Sequence, residues 1–319
     1  MKSWAWIAVA MLLQTGIAAA QDFPTGRISF VVPYPPGGGT DILSRRIAQK
    51  LNEAWGKPVV VENRAGADGM IGAAAVAKAA PDGHTMMTAV SGFAANPSIY
   101  KSLPFDSVRD LAPVTQLASN PSVLVVHPSL PPRTVKELIA FLKAHPNEMN
   151  YASSGNGTPA HMMAELFKLM TGTRMNHVPY RGGGPATIGI VSGEVPIYIM
   201  SPMQAAPHLK SGRLRALGVT SDKRAPAFPE IPTIAEAGVP GYALDNWYGL
   251  FVPAGTPKSI IAKIHAEVVR ILHLAVIKEP LAAQSVTVVG STPEQFAAFF
   301  KAEIAKAARI VKAAGITLQ

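Results

Sequence analysis

Three stretches of the chain combine glycine, proline and small hydroxylated residues in a way that favours binding an anion. They are residues 33–41, 151–159 and 179–185, and each lies directly before a predicted helix. Glycine leaves the backbone uncovered, so a ligand can approach it closely. The first turn of a helix carries unpaired N–H groups and a partial positive charge. The three stretches therefore predict cradles for a carboxylate or a phosphate.

Individual residues in these stretches have expected roles. Thr40 or Asp41 is expected to cap the first helix, and Thr158 is the expected N-cap of the second. His161 lies one turn into that second helix and is expected to support its loop. Arg181 can form a bidentate bond with a carboxylate or an ordinary surface salt bridge. With two serines that follow predicted strands, the candidate ligand-binding residues are Tyr34, Pro35, Gly38, Gly39, Thr40, Asp41, Ser91, Ser154, Asn156, Gly157, Thr158, His161, Arg181 and Ser201.

A nucleotide is the main competing ligand for such loops, and the first stretch does not match a nucleotide motif. The stretch lacks the Gly-Lys-Ser/Thr ending of a P-loop. It also fails the dinucleotide pattern, because Gly37 and Gly39 fit but Ile42 stands where the third glycine belongs. One glycine-rich turn alone is often a tight connection without a ligand, but three that open helices favour a binding cleft.

Residues for catalysis or metal binding do not form a recognisable pattern. The sequence contains neither a Gly-x-Ser-x-Gly nucleophile elbow nor a His-Glu-x-x-His metal motif. His161 and Glu165 are four residues apart and could be metal ligands, but such a pair is more often a cap contact or a surface pair. We therefore predict no catalytic residue, no metal and no cofactor.

The elements that must position these loops alternate between short β-branched runs and helical patterns. Residues 28–32 are predicted as a buried strand, and residues 41–55 follow as a helix with an apolar stripe at four-residue spacing. Similar pairs recur through residues 58–90 and 123–220. This alternation indicates an α/β fold with mainly parallel sheets. Ligands gather at the carboxyl ends of parallel strands, where the three loops lie.

Two irregular segments rich in proline, alanine and glycine divide this series into two predicted domains. Residues 110–121 and 222–247 lie about one domain length apart and are interpreted as paired crossings between domains. Long helices predicted near the C-terminus are expected to return to the first domain. The predicted division is a discontinuous first domain of residues 22–121 with 246–319, and a second domain of residues 122–245.

The N-terminus has the features of a removable signal peptide. Lys2 supplies a positive start, residues 4–13 are nearly all apolar, and positions 18–20 are alanines of the kind found before a cleavage site. The apolar run is shorter than the roughly 20 residues that span a bilayer. We expect residues 1–20 to be removed and the mature protein to be periplasmic.

Composition and charge exclude several other classes of protein. The chain has no cysteine, which excludes disulfides, thiol chemistry and a lipid-anchored cysteine. The formal net charge is +9, but the basic residues are scattered, so nucleic acid is not an expected partner. A mild positive field would favour the capture of anions, but the same net charge is equally consistent with ordinary surface charge. We expect a monomer.

Seven motifs are recognisable in order along the mature chain. They are Pro-Tyr-Pro-Pro-Gly-Gly-Gly-Thr-Asp (33–41), Val-Glu-Asn-Arg-Ala-Gly-Ala-Asp-Gly (61–69), Pro-Asp-Gly-His-Thr (81–85), Tyr-Ala-Ser-Ser-Gly-Asn-Gly-Thr-Pro-Ala-His (151–161), Val-Pro-Tyr-Arg-Gly-Gly-Gly-Pro-Ala (178–186), Gly-Arg-Leu-Arg-Ala-Leu-Gly-Val-Thr (212–220) and Pro-Glu-Ile-Pro-Thr-Ile-Ala-Glu-Ala-Gly (229–238). In these motifs the chain resembles the Bug family, the solute receptors of tripartite tricarboxylate transporters.

The resemblance implies a fold, a function and a ligand site. The implied fold is the two-domain type II periplasmic binding class, or Venus flytrap. The implied function is the capture of a carboxylated solute and its delivery to the permease subunits of such a transporter in the membrane. The carboxylate is implied to lie at the loops matching residues 34–41 and 151–158, held largely by backbone N–H groups, hydroxyls and bridging water.

The chain departs from the family pattern after Gly193. Pro196 and Ser201 stand where members usually carry acidic residues. Without an acid at the cleft, a ligand ammonium group lacks a partner, so we expect an amino acid to bind less well than a plain or aromatic carboxylate. Two other functions stay open from the residues alone: a ligand-presenting sensor for a membrane kinase, and an exported α/β hydrolase.

Overall fold

The structure is a computed structural model that describes residues 23–316, so the predicted signal peptide of residues 1–20 lies outside the described part. The strands are β1 (Ile28–Val32), β2 (Val59–Asn63), β3 (Thr85–Val90), β4 (Leu111–Asn120), β5 (Val123–Val126), β6 (Asn150–Ser153), β7 (Asn176–Pro179), β8 (Ile197–Met200), β9 (Arg215–Val219), β10 (Asn246–Pro253) and β11 (Thr287–Val288). The helices are α1 (Gly39–Trp55), α2 (Met70–Ala77), α3 (Asn96–Ile99), α4 (Val135–Ala144), α5 (Pro159–Thr171), α6 (Gly183–Val191), α7 (Pro202–Lys210), α8 (Lys258–Leu272), α9 (Ala275–Ala282) and α10 (Pro293–Ala314), with 3-10 turns at Ala67–Gly69 and Ser91–Ala95.

The first of two sheets has the strand order β11-β4-β10-β3-β1-β2. β1 pairs in parallel with β2 and β3, whereas β10 is antiparallel to β3 and β4. Helices cover both faces, and successive strand residues divide between them. Phe30 packs in the cluster that contains Ile47 of α1, while Val31 packs in the cluster that contains Val76 of α2. Burial on both faces explains why these strands are almost entirely apolar.

The second sheet has the strand order β7-β6-β8-β5-β9. β6 pairs in parallel with β7 and β8, whereas β5 is antiparallel to β8 and β9. Its two faces also separate alternate residues: Ile197 packs with Met163 of α5, and Tyr198 packs with Ala186 of α6. The chain thus forms two α/β halves, each with its own core, which is the expected fold class.

Two crossings join the halves and explain why the sheets are mixed rather than purely parallel. β4 leads through residues 121–122 into β5, and residues 220–245 lead from β9 into β10. β5 and β10 are interior strands that each begin at the end of the sheet where their neighbouring strands finish, so they run in the opposite direction to those neighbours. The crossings lie side by side, since the Ser122 N–H donates to Thr220 Oγ1 at 2.8 Å and the Thr220 N–H donates to the Ser122 carbonyl at 2.9 Å.

The interpretation of residues 110–121 as an irregular segment is wrong. Most of that segment is β4, a strand of ten residues that lies between β10 and β11. Its composition hides it, because alanine, proline, glutamine and asparagine have low strand propensity. Pro113 is tolerated because it lies opposite Phe251, beside a register shift in the β4–β10 pairing.

The last helix, α10, contacts both halves. Phe296 and Phe300 in its first turns belong to the core of the first sheet, and the indole N–H of Trp247 donates to Glu303 Oε2 at 3.2 Å. Ile310 and Val311 in its last turns belong to the core of the second half. The C-terminal helix therefore returns to the first sheet, as the sequence suggests, and then continues onto the second half.

Candidate functional site

The first glycine-rich loop connects β1 to α1 and is fixed by a carboxylate from inside the helix. Gly38 is the N-cap and has no side chain to accept from the first turn, so the expectation that Thr40 or Asp41 caps the helix is wrong. Asp41 instead lies within the first turn and reaches back, because its Oδ2 accepts from the Gly37 N–H at 2.9 Å. The backbone of the loop is thereby held without a cap hydroxyl.

A polar network behind this loop holds Asp41 in place. Arg45 Nε donates to Asp41 Oδ2 at 3.0 Å, and Asn63 Nδ2 donates to Asp41 Oδ1 at 3.0 Å. The same Asn63 amide donates to the Tyr34 carbonyl at 3.1 Å, and Arg45 Nη2 donates to Asn63 Oδ1 at 2.8 Å. Burial opposes ionisation of Asp41, but hydrogen bonds from Arg45, Gly37 and Asn63 outweigh it and keep the pKa of the carboxyl below its usual value.

Among the candidate residues, Asp41 has a structural role, because both of its carboxylate oxygens accept hydrogen bonds from the loop and from the side chains behind it. Asn63 and Arg45 hold this loop in place, and the sequence interpretation did not name them. Asn63 ends β2, the strand next to β1, so the rule that sites form at the carboxyl ends of parallel strands would have found it. The surfaces of Pro35, Gly38 and Gly39 face solvent and are available to a ligand.

The second loop connects β6 to α5. Thr158 is the N-cap and Pro159 occupies the first turn, in the positions expected from the sequence. Thr158 Oγ1 donates to the Gly155 carbonyl at 2.7 Å. The Gly157 N–H donates to His161 Nδ1 at 3.0 Å, so His161 supports the loop from one turn inside the helix. Positive φ values of 136° at Gly155 and 74° at Gly157 explain why these two positions are glycine.

A buried stack of aromatic rings lies behind the second loop. The rings of His161 and His177 are 3.9 Å apart, and His177 stacks on Tyr151 at 5.0 Å. The Tyr151 hydroxyl donates to Glu165 Oε1, and Lys168 Nζ approaches the same oxygen at 2.7 Å. Burial lowers the pKa of His161 to about 4 and that of His177 to about 4, so both rings are neutral near neutral pH.

These contacts fix the tautomer of His161 and engage Glu165, the other residue of the possible metal-ligand pair. Because Nδ1 accepts from Gly157, the proton of the neutral ring lies on Nε2, which is 4.0 Å from Glu165 Oε1. Glu165 is in turn engaged by Tyr151 and Lys168. Across residues 23–316, no group of three or more histidine, aspartate or glutamate side chains is placed to hold a metal ion.

The third loop connects β7 to α6 and is joined to the second through the backbone. The Gly182 N–H donates to the Ser154 carbonyl at 3.1 Å, and the Tyr180 N–H donates to the Ser153 carbonyl at 3.0 Å. Gly182 is the N-cap of the helix, with a φ of 111°. Arg181 lies between these two hydrogen bonds in sequence, and its side chain is exposed.

Loops from the two halves meet at the gap between the sheets. A Cβ atom on Gly92, just after β3, would lie only 3.2 Å from the Gly157 carbonyl oxygen and 3.5 Å from Pro159 Cδ. Next to it, Ser91 Oγ donates to Asn246 Oδ1 at 2.9 Å. The glycine at position 92 therefore allows the loop after β3 in the first half to touch the second glycine-rich loop in the other half.

Ser201 and the first loop line a second part of the same gap. Gly39, Ser201 and Tyr248 line one cavity between the halves. Ser201 directly follows β8 and is the N-cap of α7, and its Oγ donates to Gln204 Oε1 at 3.0 Å. A Cβ on Gly39 would lie 2.9 Å from the Tyr248 hydroxyl, so this glycine permits the close approach of the tyrosine. Burial raises the pKa of Tyr248 to about 12 and keeps the hydroxyl neutral.

The two crossings also contribute polar side chains to the gap. Asn246 Nδ2 donates to Asn120 Oδ1 at 3.1 Å, which links β10 to the end of β4. Asn120 lines the same cavity as Gly39 and Ser201. The sequence interpretation did not name Asn120 or Asn246, because only the pairing of β4 with β10, two strands distant in sequence, brings them to this cavity.

The fold and the facing loops define a two-lobed solute-binding receptor. The family model for tripartite tricarboxylate transporter family receptors matches residues 43–316. Protein BugT of Bordetella pertussis is 39% identical over 309 residues, which cover 95% of each chain. This chain belongs to the family of tripartite tricarboxylate transporter receptors, and the resemblance to Bug proteins is confirmed.

Solved structures of related proteins have the same fold. The structure of R. palustris Rpa4515 with adipate is 37% identical, has a TM-score of 0.84, and is matched over 93% of this chain and 100% of that chain. MatC from Rhodopseudomonas palustris with bound malate is 31% identical with a TM-score of 0.81, over 91% of this chain and 100% of that chain. The family consists of receptors, so the protein is not an enzyme and the hydrolase alternative is overturned.

We predict that Asn63→Ala weakens ligand binding about tenfold, because the first loop loses the amide that holds both Asp41 and the Tyr34 carbonyl and must be ordered by the ligand instead. Isothermal titration with the best-bound carboxylate measures the affinity. Asn52→Ala is the matched control, because Asn52 accepts from the Val59 N–H at the opposite end of α1. Equal affinity in the wild type and Asn63→Ala would contradict the bracing role.

We predict that the neutral, buried His161 makes the folded state sensitive to acid. The ring takes up its proton near pH 6.5 in the unfolded chain and only near pH 4 in the folded one. The contribution of the neutral His161 ring to stability is therefore fully present above pH 6.5 and is lost as the pH falls toward 4. This loss lowers the free energy of unfolding by roughly 2–3 kcal/mol. Urea denaturation at several pH values measures this dependence.

The variant His161→Gln should show a shallower loss of stability between pH 6.5 and pH 4 than the wild type. His273→Gln serves as the control, since His273 is exposed at the end of α8 and should leave the pH dependence unchanged. Superimposable pH profiles for the wild type and His161→Gln would show that His161 is not the responsible group.

Proposed function

We propose that this protein is a periplasmic receptor that binds a small organic carboxylate in the gap between its two halves and delivers it to the permease subunits of a tripartite tricarboxylate transporter. The observation that carries the proposal is that loops preceding helices in opposite halves come together. Gly92 lies against Gly157, and Gly39 and Ser201 line the same cavity. The adipate and malate named for two related structures are small carboxylates of this kind.

Backbone dipoles supply most of the recognition in this proposal. The first turns of α1 and α5 lie at the gap, and each carries the partial positive charge of a helix N-terminus. Asp41 and His161 hold these loops in shape before a ligand arrives. A preformed cradle saves the ligand the entropy of ordering the loop, which favours tight binding.

Closure of the two halves provides the signal that a permease can recognise. A ligand that touches both halves stabilises only the closed arrangement and shifts the equilibrium toward it. In our proposal the moving units are the discontinuous first domain of residues 22–121 with 246–319 and the second domain of residues 122–245. The paired crossings at Ser122 and Thr220 are the expected hinge, and α10, which packs on both halves, limits the opening.

Export is part of the proposal. Residues 1–20 have the pattern of a cleaved signal peptide. Over residues 23–316, no helix combines the length and the apolar character needed to cross a bilayer. We propose that the mature chain acts as a monomer in the periplasm, with the candidate residues of the three loops, Ser91 and Ser201 forming its ligand site.

The proposal predicts that carboxylates stabilise the native protein. The mature protein is unfolded, refolded to remove any bound ligand, and heated with mono-, di- and aromatic carboxylates, with amino acids and nucleotides as controls. A ligand that binds only the native state raises the melting temperature by mass action. A clear rise with one class of carboxylate is the expected result, whereas no rise with any carboxylate, or a rise with nucleotides alone, would overturn the proposal.

Ser201 is expected to set the preference against amino acids. Ser201→Asp places a carboxylate at the end of β8, beside the cavity, where it can pair with a ligand ammonium group. We expect the variant to bind amino acids at least about tenfold better, relative to plain carboxylates, than the wild type does. Ser192→Asp, at the exposed end of α6, adds the same charge away from the cavity. An unchanged ratio in Ser201→Asp would reject the role of this position.

A further inference from the structure

A second cavity lies at the junction between the two halves, where the crossings meet α10. The lining of this junction cavity includes Asp222 and Asp245 from the second crossing, Trp247 of β10, and Glu303 and Lys306 of α10. No candidate ligand-binding residue is among the described residues that line it. The junction cavity is therefore distinct from the ligand gap, and it lies where movement of the halves must be absorbed.

Asp245 is enclosed at this cavity with too few hydrogen-bond donors. Its Oδ1 atom is shielded from solvent and accepts no hydrogen bond within the described part of the chain. The hydroxyl of Thr220 hydrogen-bonds the same carboxyl group. Thr220 Oγ1 also accepts from the Ser122 N–H at 2.8 Å, so Asp245 is linked to both crossings. A carboxyl group that is enclosed without enough donors favours its neutral form.

The cation at the junction cavity is already engaged by another carboxylate. Among the described residues that line the cavity, Lys306 is the one cation, and its Nζ lies 2.7 Å from Glu303 Oε1. The indole N–H of Trp247 donates to Glu303 Oε2 at 3.2 Å, so both oxygens of this buried side chain have partners. Asp245 therefore has no cation of its own at the cavity.

The other charges at the junction cavity are negative. Burial raises the pKa of Asp245 to about 6, and the charge of Asp222 adds to this effect. The charge of Glu303 raises the pKa further, whereas Lys306 and the Thr220 hydroxyl lower it. The described residues that β4 contributes to the lining are neutral. Ionisation of Asp245 is therefore opposed by its whole surroundings rather than by one contact.

The groups around Asp245 belong to different halves. Glu303 is held by Trp247 in the first sheet, whereas Thr220 directly follows β9 of the second sheet. Rotation of one half against the other therefore changes the distances between Asp245 and its neighbours and lets water reach the carboxyl group. Hydration favours the ionised form of a carboxyl group, so the protonation of Asp245 and the position of the halves depend on each other.

We propose that Asp245 is a proton-sensitive switch for the position of the two halves. The protonated carboxyl group stabilises the described arrangement, in which Gly92 lies against Gly157. The ionised carboxylate favours an arrangement in which the halves are separated and water reaches it. Proton binding and movement of the halves are thermodynamically linked, so each biases the other by the same amount.

The switch has a consequence for binding, and this consequence rests on the proposed function. A ligand that touches both halves binds the arrangement in which they are together. Acid favours the same arrangement through Asp245. The receptor is therefore expected to hold its ligand more tightly in acid, and ligand binding is expected to raise the pKa of Asp245.

The pH window follows from the pKa of Asp245 in the two arrangements. The pKa is about 6 where the halves touch and close to the usual value of about 3.9 where water reaches the carboxyl group. The stabilisation of the touching arrangement is therefore fully present below about pH 4 and is lost as the pH rises to about 6. Between pH 5 and pH 7.5 the ratio of separated to touching molecules should rise about tenfold.

Distances between two spin labels, measured by pulsed electron paramagnetic resonance, test the inference without any ligand. The chain contains no cysteine, so Ile71→Cys and Ile188→Cys supply two unique labelling sites. Ile71 lies on α2 of the first half and is 58% exposed, and Ile188 lies on α6 of the second half and is 71% exposed. We expect the population at the longer distance, relative to that at the shorter distance, to rise about tenfold from pH 5 to pH 7.5.

Three variants of the labelled protein assign this response to Asp245. Asp245→Asn carries a neutral amide of similar shape at every pH, so its distances should be the same at both pH values. Asp222→Asn removes a charge that raises the pKa of Asp245 and should reduce the response without abolishing it. Glu230→Gln is the matched control, because it removes an exposed carboxylate from the same crossing and should leave the response unchanged.

Melting temperatures at both pH values establish that each variant is folded. A response that Asp245→Asn abolishes and Glu230→Gln preserves supports the inference. Equal distances at pH 5 and pH 7.5 in the labelled wild type, or a full response in Asp245→Asn, overturns it. If Asp245→Asn does not fold, an undiminished response in Asp222→Asn overturns the inference instead. Because no ligand is present, none of these outcomes bears on the receptor function, which the thermal screen with carboxylates tests separately.

Discussion

The carboxyl ends of the parallel strands in both halves point into one gap, and the rest of the site depends on this arrangement. It follows from the two crossings, because β4 leaves the first sheet and β9 leaves the second at the edges that face each other. Every loop that follows β1, β3, β6, β7 or β8 therefore ends near the same space. As a result, β5 and β10 are antiparallel to their neighbours, because each strand enters its sheet from the gap and must run away from it.

Within that gap, rigid support matters more than the number of charged contacts. Asp41 and His161 both turn toward their own loops, and each satisfies a glycine N–H that would otherwise be unpaired. The network of Arg45 and Asn63 behind the first loop, and the stacked rings behind the second, hold the loops in one shape. In the proposed function, backbone N–H groups bind the carboxylate, and they need no matching side-chain charge.

In the proposed function, the part of the ligand beyond its carboxylate contacts side chains whose chemistry changes along the cavity. The α1 face changes from bare backbone at Gly39 to apolar surface at Ile42 and then to a cation at Arg46. Ser201 adds a neutral hydroxyl on the opposite wall. In the proposed function the braced loops hold the carboxylate, and substitutions on the far wall can change specificity without disturbing those loops.

The sequence by itself determined the α/β class, the glycine-rich turns that precede α1, α5 and α6, and the family. These features depend on local signals such as glycine before a helix, β-branched strands and capping residues, which neighbours in sequence decide. Only the tertiary structure decided that residues 111–120 form a strand, that Asp41 braces its loop, and that Asn63, Asn120 and Arg46 lie at the site. Each of these depends on pairing between segments distant in the chain, because a polar side chain shows no function in sequence until the fold supplies its partner or leaves it facing a cavity.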